Sequence, residues 1–361
     1  MRIAVVGAGA IGSTLAARLS EHGHRVTLIG RADHVAAIRC DGLLVVQPNH
    51  TARRYRLEAA TQLSARPDLV LLTVKTQDVP QACADLLPVA AGVPVVALQN
   101  GVRGDQLAAA ALGRHAAAGG VVMCAATYLR PGVVSVQFPG WLIVGEPYSA
   151  VGARTSSIAA ALAAAVPTYI TRHLERVRWS KLISNLNNAL GAATGLTLAE
   201  VTRTPTGRVL AVRLMKEGWR VARATGVRLD HGLYGLTPRA LGQRPAAAGV
   251  ALLQSMMTPA LATLPERAAL AVVGAASRSA LGRLPIRGST WQSIARGKAT
   301  EIDYLNGEIV RRGWQHGILT PYNARAVACV RAVERTRTYC SVAALIPDGP
   351  HAAALARVGS L

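Results

Sequence analysis

Lys181, Asn185 and Asn188 recur at the spacing i, i+4, i+7 in a segment that also holds Leu182, Ile183, Leu186 and Leu190. On a helix this spacing lays three polar side chains along one face, among apolar neighbours. An ammonium group in apolar surroundings gives up its proton more readily than in water, so a lysine there can act as a general acid near neutral pH. The amides offer donors and acceptors for a polar substrate. The plain alternative is a solvated helix face. Lysine is scarce, however: Lys75, Lys181, Lys216 and Lys298 are the only four among 40 Lys and Arg residues. Where any surface cation serves, the chain uses arginine, which keeps its proton at ordinary pH. The retained lysines therefore point to places that need a compact, ionisable group.

A second constellation lies at the start of the chain. Gly7-Ala8-Gly9-Ala10-Ile11-Gly12 follows the β-branched run Arg2–Val6 and precedes a helical pattern to about His22, with a second strand at Arg25–Ile29. Strand, glycine turn, helix and strand form the context in which G-x-G-x-x-G reads as a dinucleotide fingerprint. Gly7 permits the tight turn, Gly9 the close approach of a pyrophosphate, and Gly12 close packing of helix on strand. Strand two runs into Gly30-Arg31 with no acid before Asp33. An acid there would bind a ribose 2′-hydroxyl, whereas Arg31 suits a 2′-phosphate, which favours NADP(H). Two further apolar runs, Leu69–Val74 and Val93–Leu98, end in Lys75 and in Gln99-Asn100-Gly101. Ligands of open α/β sheets sit beyond the carboxyl ends of the strands, so Arg31, Lys75 and Asn100 are expected to share the edge that carries the glycine turn.

The elements that must position these residues follow from periodicity. Apolar runs, including Gly120–Met123, fit parallel strands buried on both faces, with helices near Val79–Leu87, Asp105–Leu112 and Ser156–Ala165 between them. Pro131-Gly132 marks a turn between two short strands, and Thr168–Thr171 a last strand. From Leu174 the pattern is helical: Arg176–Leu190, Thr206–Thr225, Ser289–Ala295, Glu301–His316 and Tyr322–Arg337. The Ala-rich stretch 236–286 reads as short helices and loops. The expected fold is α/β, with a Rossmann-type dinucleotide-binding domain over 1–172, a helical domain over 173–345 and a loosely attached tail over 346–361. Ser289 could cap its helix, and Glu301 could complement the dipole of the next.

Composition narrows the function classes. The chain has 361 residues, 51% hydrophobic and 16% charged, with net charge +21. That supports large cores and argues against disorder. The arginines are scattered, without basic runs or interleaved aromatics, so nucleic acid is a poor fit and a small anionic substrate a better one. The five cysteines form neither a CxxC pair nor metal-ligand spacing and read as reduced thiols of a cytoplasmic protein. No membrane partner or metal is expected, and a homodimer is left open.

Taken together, the glycine loop, Arg31, Lys75, Asn100-Gly101, Trp179-x-Lys181-Leu182-x-x-Asn185, Ser289, Thr300-Glu301-Ile302-Asp303-Tyr304-Leu305-Asn306-Gly307 and Gly317-Ile318-x-Thr320-Pro321-x-Asn323 resemble the ketopantoate reductase (2-dehydropantoate 2-reductase) family over about residues 1–340. The resemblance implies NADPH-dependent reduction of a 2-oxo acid in pantothenate and coenzyme A synthesis. It implies Lys181 as general acid, Asn100 holding substrate and cofactor with Lys75 nearby, and Asn185, Ser289 and Glu301 binding substrate, Glu301 by way of the substrate's hydroxyl; Asn188 joins the substrate-binding set from the polar stripe. It also implies an all-helical C-terminal domain. Two positions depart from the pattern: Ala189, where a second Asn is often found, and Ser293, where an acid is common. Other readings are a reductase or opine-type dehydrogenase for a different 2-oxo acid, and a non-enzymatic NADP-sensing protein.

Overall fold

β1 (Arg2–Val6) is buried at four successive positions, as a central strand covered on both faces requires. It pairs in parallel with β2 (Arg25–Ile29) and with β6 (Leu69–Leu72), itself buried throughout. The structure is a computed structural model that describes residues 1–230, 261–278 and 287–348. Its main sheet runs β12-β11-β8-β7-β6-β1-β2-β5, completed by β5 (Glu58–Ala60), β7 (Val95–Ala97), β8 (Ala117–Val122), β11 (Leu142–Gly145) and β12 (Thr168–Ile170). All neighbours are parallel except β8 and β11, which are antiparallel. After β1 the chain moves one way, to β2, and from β6 the other, so β1 and β6 flank the point where the order reverses. Ligands of such sheets bind there.

Helix α1 (Ala10–Glu21) follows the glycine turn and buries Leu15 and Leu19 against the sheet core. Helix α2 (Ala32–Asp41) follows β2. Between α2 and β5 the chain forms β3 (Leu43–Val46) and β4 (Ala52–Tyr55), which join β9 (Ala125–Arg130) and β10 (Val133–Phe138) in a second, four-stranded sheet ordered β4-β3-β10-β9. Leu43, Val45, Val134 and Val136 of this sheet share the α1 core. The turn expected at Pro131-Gly132 is the β9–β10 connection; the second sheet as a unit is not apparent from periodicity. Helices α3 (Val79–Ala90), α4 (Gly104–Leu112) and α5 (Ala153–Ala163) complete this part.

Among the described residues the chain divides into two compact units between Arg178 and Trp179, not at residue 172. The division falls inside α6 (Leu174–Asn185) because Leu174 and Val177 pack with Val121, Trp141 and Ile143 of the sheet unit. The second unit is helical: α7 (Asn188–Thr194), α8 (Leu198–Arg203), α9 (Pro205–Ala224), α10 (Glu266–Arg278), α11 (Ser289–Ala295), α12 (Asn306–Gln315) and α13 (Pro321–Thr336). A reciprocal capping box starts α8: Glu200 N donates to Thr197 Oγ1, and Thr197 N to Glu200 Oε2. Two expected helices are interrupted. Arg176–Leu190 is α6 and α7 separated at Leu186-Asn187, and Glu301–His316 is a 3₁₀ turn (Ile302–Tyr304) followed by α12. Of the Ala-rich stretch 236–286, only α10 and its approach from 261 are described, and the tail beyond 348 lies outside the described residues. Among the described residues no helix is long and apolar enough to cross a membrane.

Candidate functional site

The glycine turn is fixed by backbone contacts. The amides of Gly7 and Ala8 both donate to Ile29 O, and that of Gly9 to Gly7 O at 2.7 Å. Gly7 has φ +114, and a Cβ there would lie 2.5 Å from Val74 N, so both conformation and space demand glycine. A Cβ on Gly12 would lie 2.1 Å from Gly7 O and 2.5 Å from Thr73 Oγ1. Thr73 Oγ1 donates to Gly7 O, which locks the turn onto the end of β6. Gly9 differs: a Cβ there would meet nothing within 4 Å. It is the exposed N-cap of α1, with no side-chain cap and no acid in the first turn. The first N–H groups of α1, from Ala10 and Ile11 onward, thus face an open, positively polarised space that suits a pyrophosphate.

The other strand ends lie beside this turn. Gly30 leaves room for Ala8, whose Cβ would sit 2.4 Å from a Cβ at residue 30. Arg31 follows as the exposed N-cap of α2. Half-buried Lys75 precedes a short 3₁₀ turn, and Thr76 Oγ1 donates to Asn100 O at 3.3 Å. Gln99, buried, donates its Nε2 to Leu72 O and Val74 O and so clamps the end of β7 to that of β6. The structure therefore brings Gly7 to Gly12, Arg31, Lys75 and Asn100 to one edge of one sheet. Sequence reasoning passed over Arg178, which is 3% exposed, donates to Ala97 O at 2.9 Å and pairs with Asp105 at 3.7 Å. In Leu174-Glu175-Arg176-Val177-Arg178-Trp179 two arginines alternate with apolar residues, and nothing in that pattern marks Arg178 as the buried one.

In the helical unit, Lys181 and Asn185 are half-buried one turn apart on α6, while Leu182 and Ile183 are fully buried. Asn188 does not extend their stripe. It opens α7, so the i+7 relation is cut by the break at Leu186-Asn187. Its side chain instead meets α11: a Cβ on Gly288 would fall 2.5 Å from Asn188 Oδ1. Gly288, and not Ser289, is the N-cap of α11; Ser289 is the exposed first helical residue. Glu301 is half-buried and precedes the 3₁₀ turn, its carbonyl accepting from Tyr304 N and Leu305 N. It does not complement α12, which begins at Asn306 and carries Glu308 in its first turn.

Behind these residues is a buried polar network. Asn306 Nδ2 donates to Leu186 O at 3.2 Å and to Asn323 Oδ1 at 3.0 Å. Asn323 Nδ2 donates to Leu214 O and Glu217 Oε2, and Glu217 also accepts from the amides of Tyr322 and Asn323. Burial pushes the Glu217 carboxyl above its ordinary value against these donors. Glu217 was missed; its signal is an acid at i+3 from Leu214 and i−4 from Val221, inside the apolar stripe of α9.

Comparison with known proteins settles the lineage. Residues 3–148 match the family described as ketopantoate reductase PanE/ApbA, and residues 173–334 match its C-terminal counterpart. The chain belongs to the ketopantoate reductase family. It is 30% identical to a 2-dehydropantoate 2-reductase of Halobacterium salinarum over 93% of this chain and 99% of that one. A Pyrococcus horikoshii protein of the same description is 27% identical over 92% and 98%. A crystal structure of a PanE/ApbA family ketopantoate reductase from Ralstonia eutropha is similar at TM-score 0.72 and 30% identity, covering 93% of this chain and 99% of that chain. D-mandelate dehydrogenase, solved with NADH and anilino(oxo)acetate, shares the fold at TM-score 0.75 and 22% identity, over 93% and 99%. As a ketopantoate reductase family member the chain is an oxidoreductase of CH–OH donors, built as the α/β dinucleotide-binding and helical architecture expected of it.

Proposed function

We propose that this chain reduces 2-dehydropantoate to (R)-pantoate with NADPH, a step of pantothenate and coenzyme A biosynthesis. One observation carries most of the reading: Lys181 and Asn185 stand one turn apart on the half-buried face of a helix within the matched residues 173–334. When bound, reduced nicotinamide supplies a hydride. The open space over Gly9 and the uncapped start of α1 fit its pyrophosphate, held by the backbone from Gly7 through Ala8, Gly9, Ala10 and Ile11 to Gly12. Arg31 binds the 2′-phosphate, and Lys75 and Asn100 line the strand ends beside the cofactor.

Lys181 delivers its proton to the ketone oxygen of the substrate, where negative charge would otherwise build up. Asn185, Asn188 and Ser289 hydrogen-bond the substrate, and Glu301 accepts from its hydroxyl. The decisive experiment follows NADPH and NADH oxidation with a panel of 2-oxo acids. Fastest turnover of 2-dehydropantoate with NADPH is expected. A faster acid of another shape would reassign the substrate, and tight NADPH binding without turnover of any acid would favour the sensor reading.

A further inference from the structure

Helix α2 carries a buried histidine one turn after Arg31. His34 is 2% exposed, and both of its ring nitrogens have partners. Nδ1 accepts from Gly132 N at 2.9 Å. A backbone amide can only donate, so Nδ1 bears no proton and the neutral ring carries its hydrogen on Nε2. Nε2 then donates to Ser13 Oγ at 3.1 Å. The ring of Tyr128 lies against the imidazole at 4.9 Å.

The two partners belong to different elements. Ser13, fully buried, is in the first turn of α1 next to Gly12, and its amide donates to Gly9 O at 2.9 Å. Gly132 is the β9–β10 turn, held in place by its carbonyl, which accepts from Leu44 N of β3. One imidazole thus ties the start of the phosphate-facing helix and the start of the Arg31 helix to a fixed point in the second sheet. Arg31 itself is an exposed N-cap whose carbonyl accepts from Val35 N, so its backbone position is set by the first turn of α2. A flexible guanidinium binds phosphate tightly only when its base is held at the right distance from the other anion contacts.

We propose that His34 is the positioning residue of the adenosine 2′-phosphate subsite, holding the α2 start, and with it Arg31, in register with the glycine turn through its two hydrogen bonds to Ser13 and Gly132. The inference rests on the Arg31 reading above and extends it from a contact to the device that presets it. It also explains why a ring with a donor and an acceptor about 2 Å apart is buried where an apolar side chain would serve packing alone.

The test compares NADPH and NADH affinities by cofactor fluorescence titration, in wild type, His34→Leu, His34→Gln, Ser13→Ala and Arg31→Ala. His34→Leu should weaken NADPH binding roughly 5- to 30-fold, the scale of a lost buried hydrogen-bond pair, and change NADH binding far less. His34→Gln should restore the preference, since its amide oxygen can accept from Gly132 N and its amide nitrogen donate to Ser13. Ser13→Ala, a milder change that reads out the same link if His34→Leu does not fold, should move the ratio in the same direction. A merely structural histidine would lower thermal stability and weaken both cofactors alike. A wild-type NADPH preference that Arg31→Ala abolishes but His34→Leu or Ser13→Ala leaves intact would overturn the inference and spare the reading. Equal wild-type affinities would overturn both.

Discussion

Asn306 Nδ2 donates to Leu186 O, the first carbonyl beyond the helix that carries Lys181 and Asn185. The bond joins residues 120 positions apart and is fully buried, because Asn306 and Leu186 are both inaccessible to solvent. Leu186 sits where α6 stops and α7 has not begun, so its carbonyl keeps only an i+3 bond from Ala189 N at 3.3 Å and takes the Asn306 side chain as a second donor. The Asn306-Asn323-Glu217 network thereby sets where the α6 face ends and where Asn188 starts the next helix.

Asn306→Ala should therefore act on stability and on catalysis together. It strands Asn323 Oδ1 and leaves Leu186 O with the Ala189 amide alone, a cost of about 1–3 kcal/mol for a buried acceptor without its donor. Asn306→Asp should cost more, because a carboxylate cannot donate to either oxygen and stands two links from buried Glu217. Thermal unfolding and kcat of the same preparations check this; wild-type melting with Asn306→Asp would show that the network does not hold the break.

Arg31 offers a cleaner separation of binding from folding, since it is exposed and caps α2 without a side-chain hydrogen bond. Arg31→Ala should leave the melting temperature unchanged and weaken NADPH roughly 10- to 100-fold, as expected from a charge-assisted phosphate contact of about 1.5–3 kcal/mol. NADH binding should barely change. Isothermal titration with both cofactors decides it, and parallel losses for the two would remove Arg31 from the 2′-phosphate.

Lys181→Ala should lower kcat by roughly 10²–10⁴-fold, the usual worth of general acid catalysis, and leave NADPH affinity in place. Lys181→Arg should recover little, because guanidinium keeps its proton at neutral pH. Single-turnover measurement of NADPH oxidation distinguishes the chemical step from release. Near-normal turnover by the arginine variant would mean that Lys181 contributes charge and no proton.

What the sequence made legible follows the range of the forces involved. β2 at Arg25–Ile29 and α11 at Ser289–Ala295 were read with their observed bounds, because β-branched residues and a Gly288/Gly297 frame act locally. The glycine turn was legible for the same reason, its strand and helix being adjacent in sequence. The second sheet was not: Ala52-Arg53-Arg54 is an exposed edge with no apolar alternation, and β4 gains its place by pairing with β3 and burying Tyr55 in the α1 core. Nor was the break after Asn185, since Leu182, Leu186 and Leu190 keep helical periodicity straight through it. The group that stabilises the break comes from Asn306, and nothing near Leu186 announces it. Residue type makes Ser289 a candidate cap, whereas Gly288 takes that role beside the Asn188 amide.

Substrate choice is predicted to turn on Glu301. It is half-buried at the edge of the 3₁₀ turn, and since α12 starts five residues later, helix stabilisation does not account for a carboxylate there. A carboxylate that accepts from a substrate hydroxyl discriminates strongly against an analogue lacking it, because its oxygen is then left unpaired. 2-Dehydropantoate carries such a hydroxyl at carbon 4, and 3,3-dimethyl-2-oxobutanoate is the same skeleton without it. Wild type should reduce the first much faster, and Glu301→Ala should shrink the difference by slowing 2-dehydropantoate more than the analogue. The readout is the ratio of the two kcat/KM values, which cancels any general loss of active enzyme. An unchanged ratio in Glu301→Ala would show that Glu301 does not read the hydroxyl. With Ala189 and Ser293 already departing from the family pattern, a different 2-oxo acid would then be the better substrate.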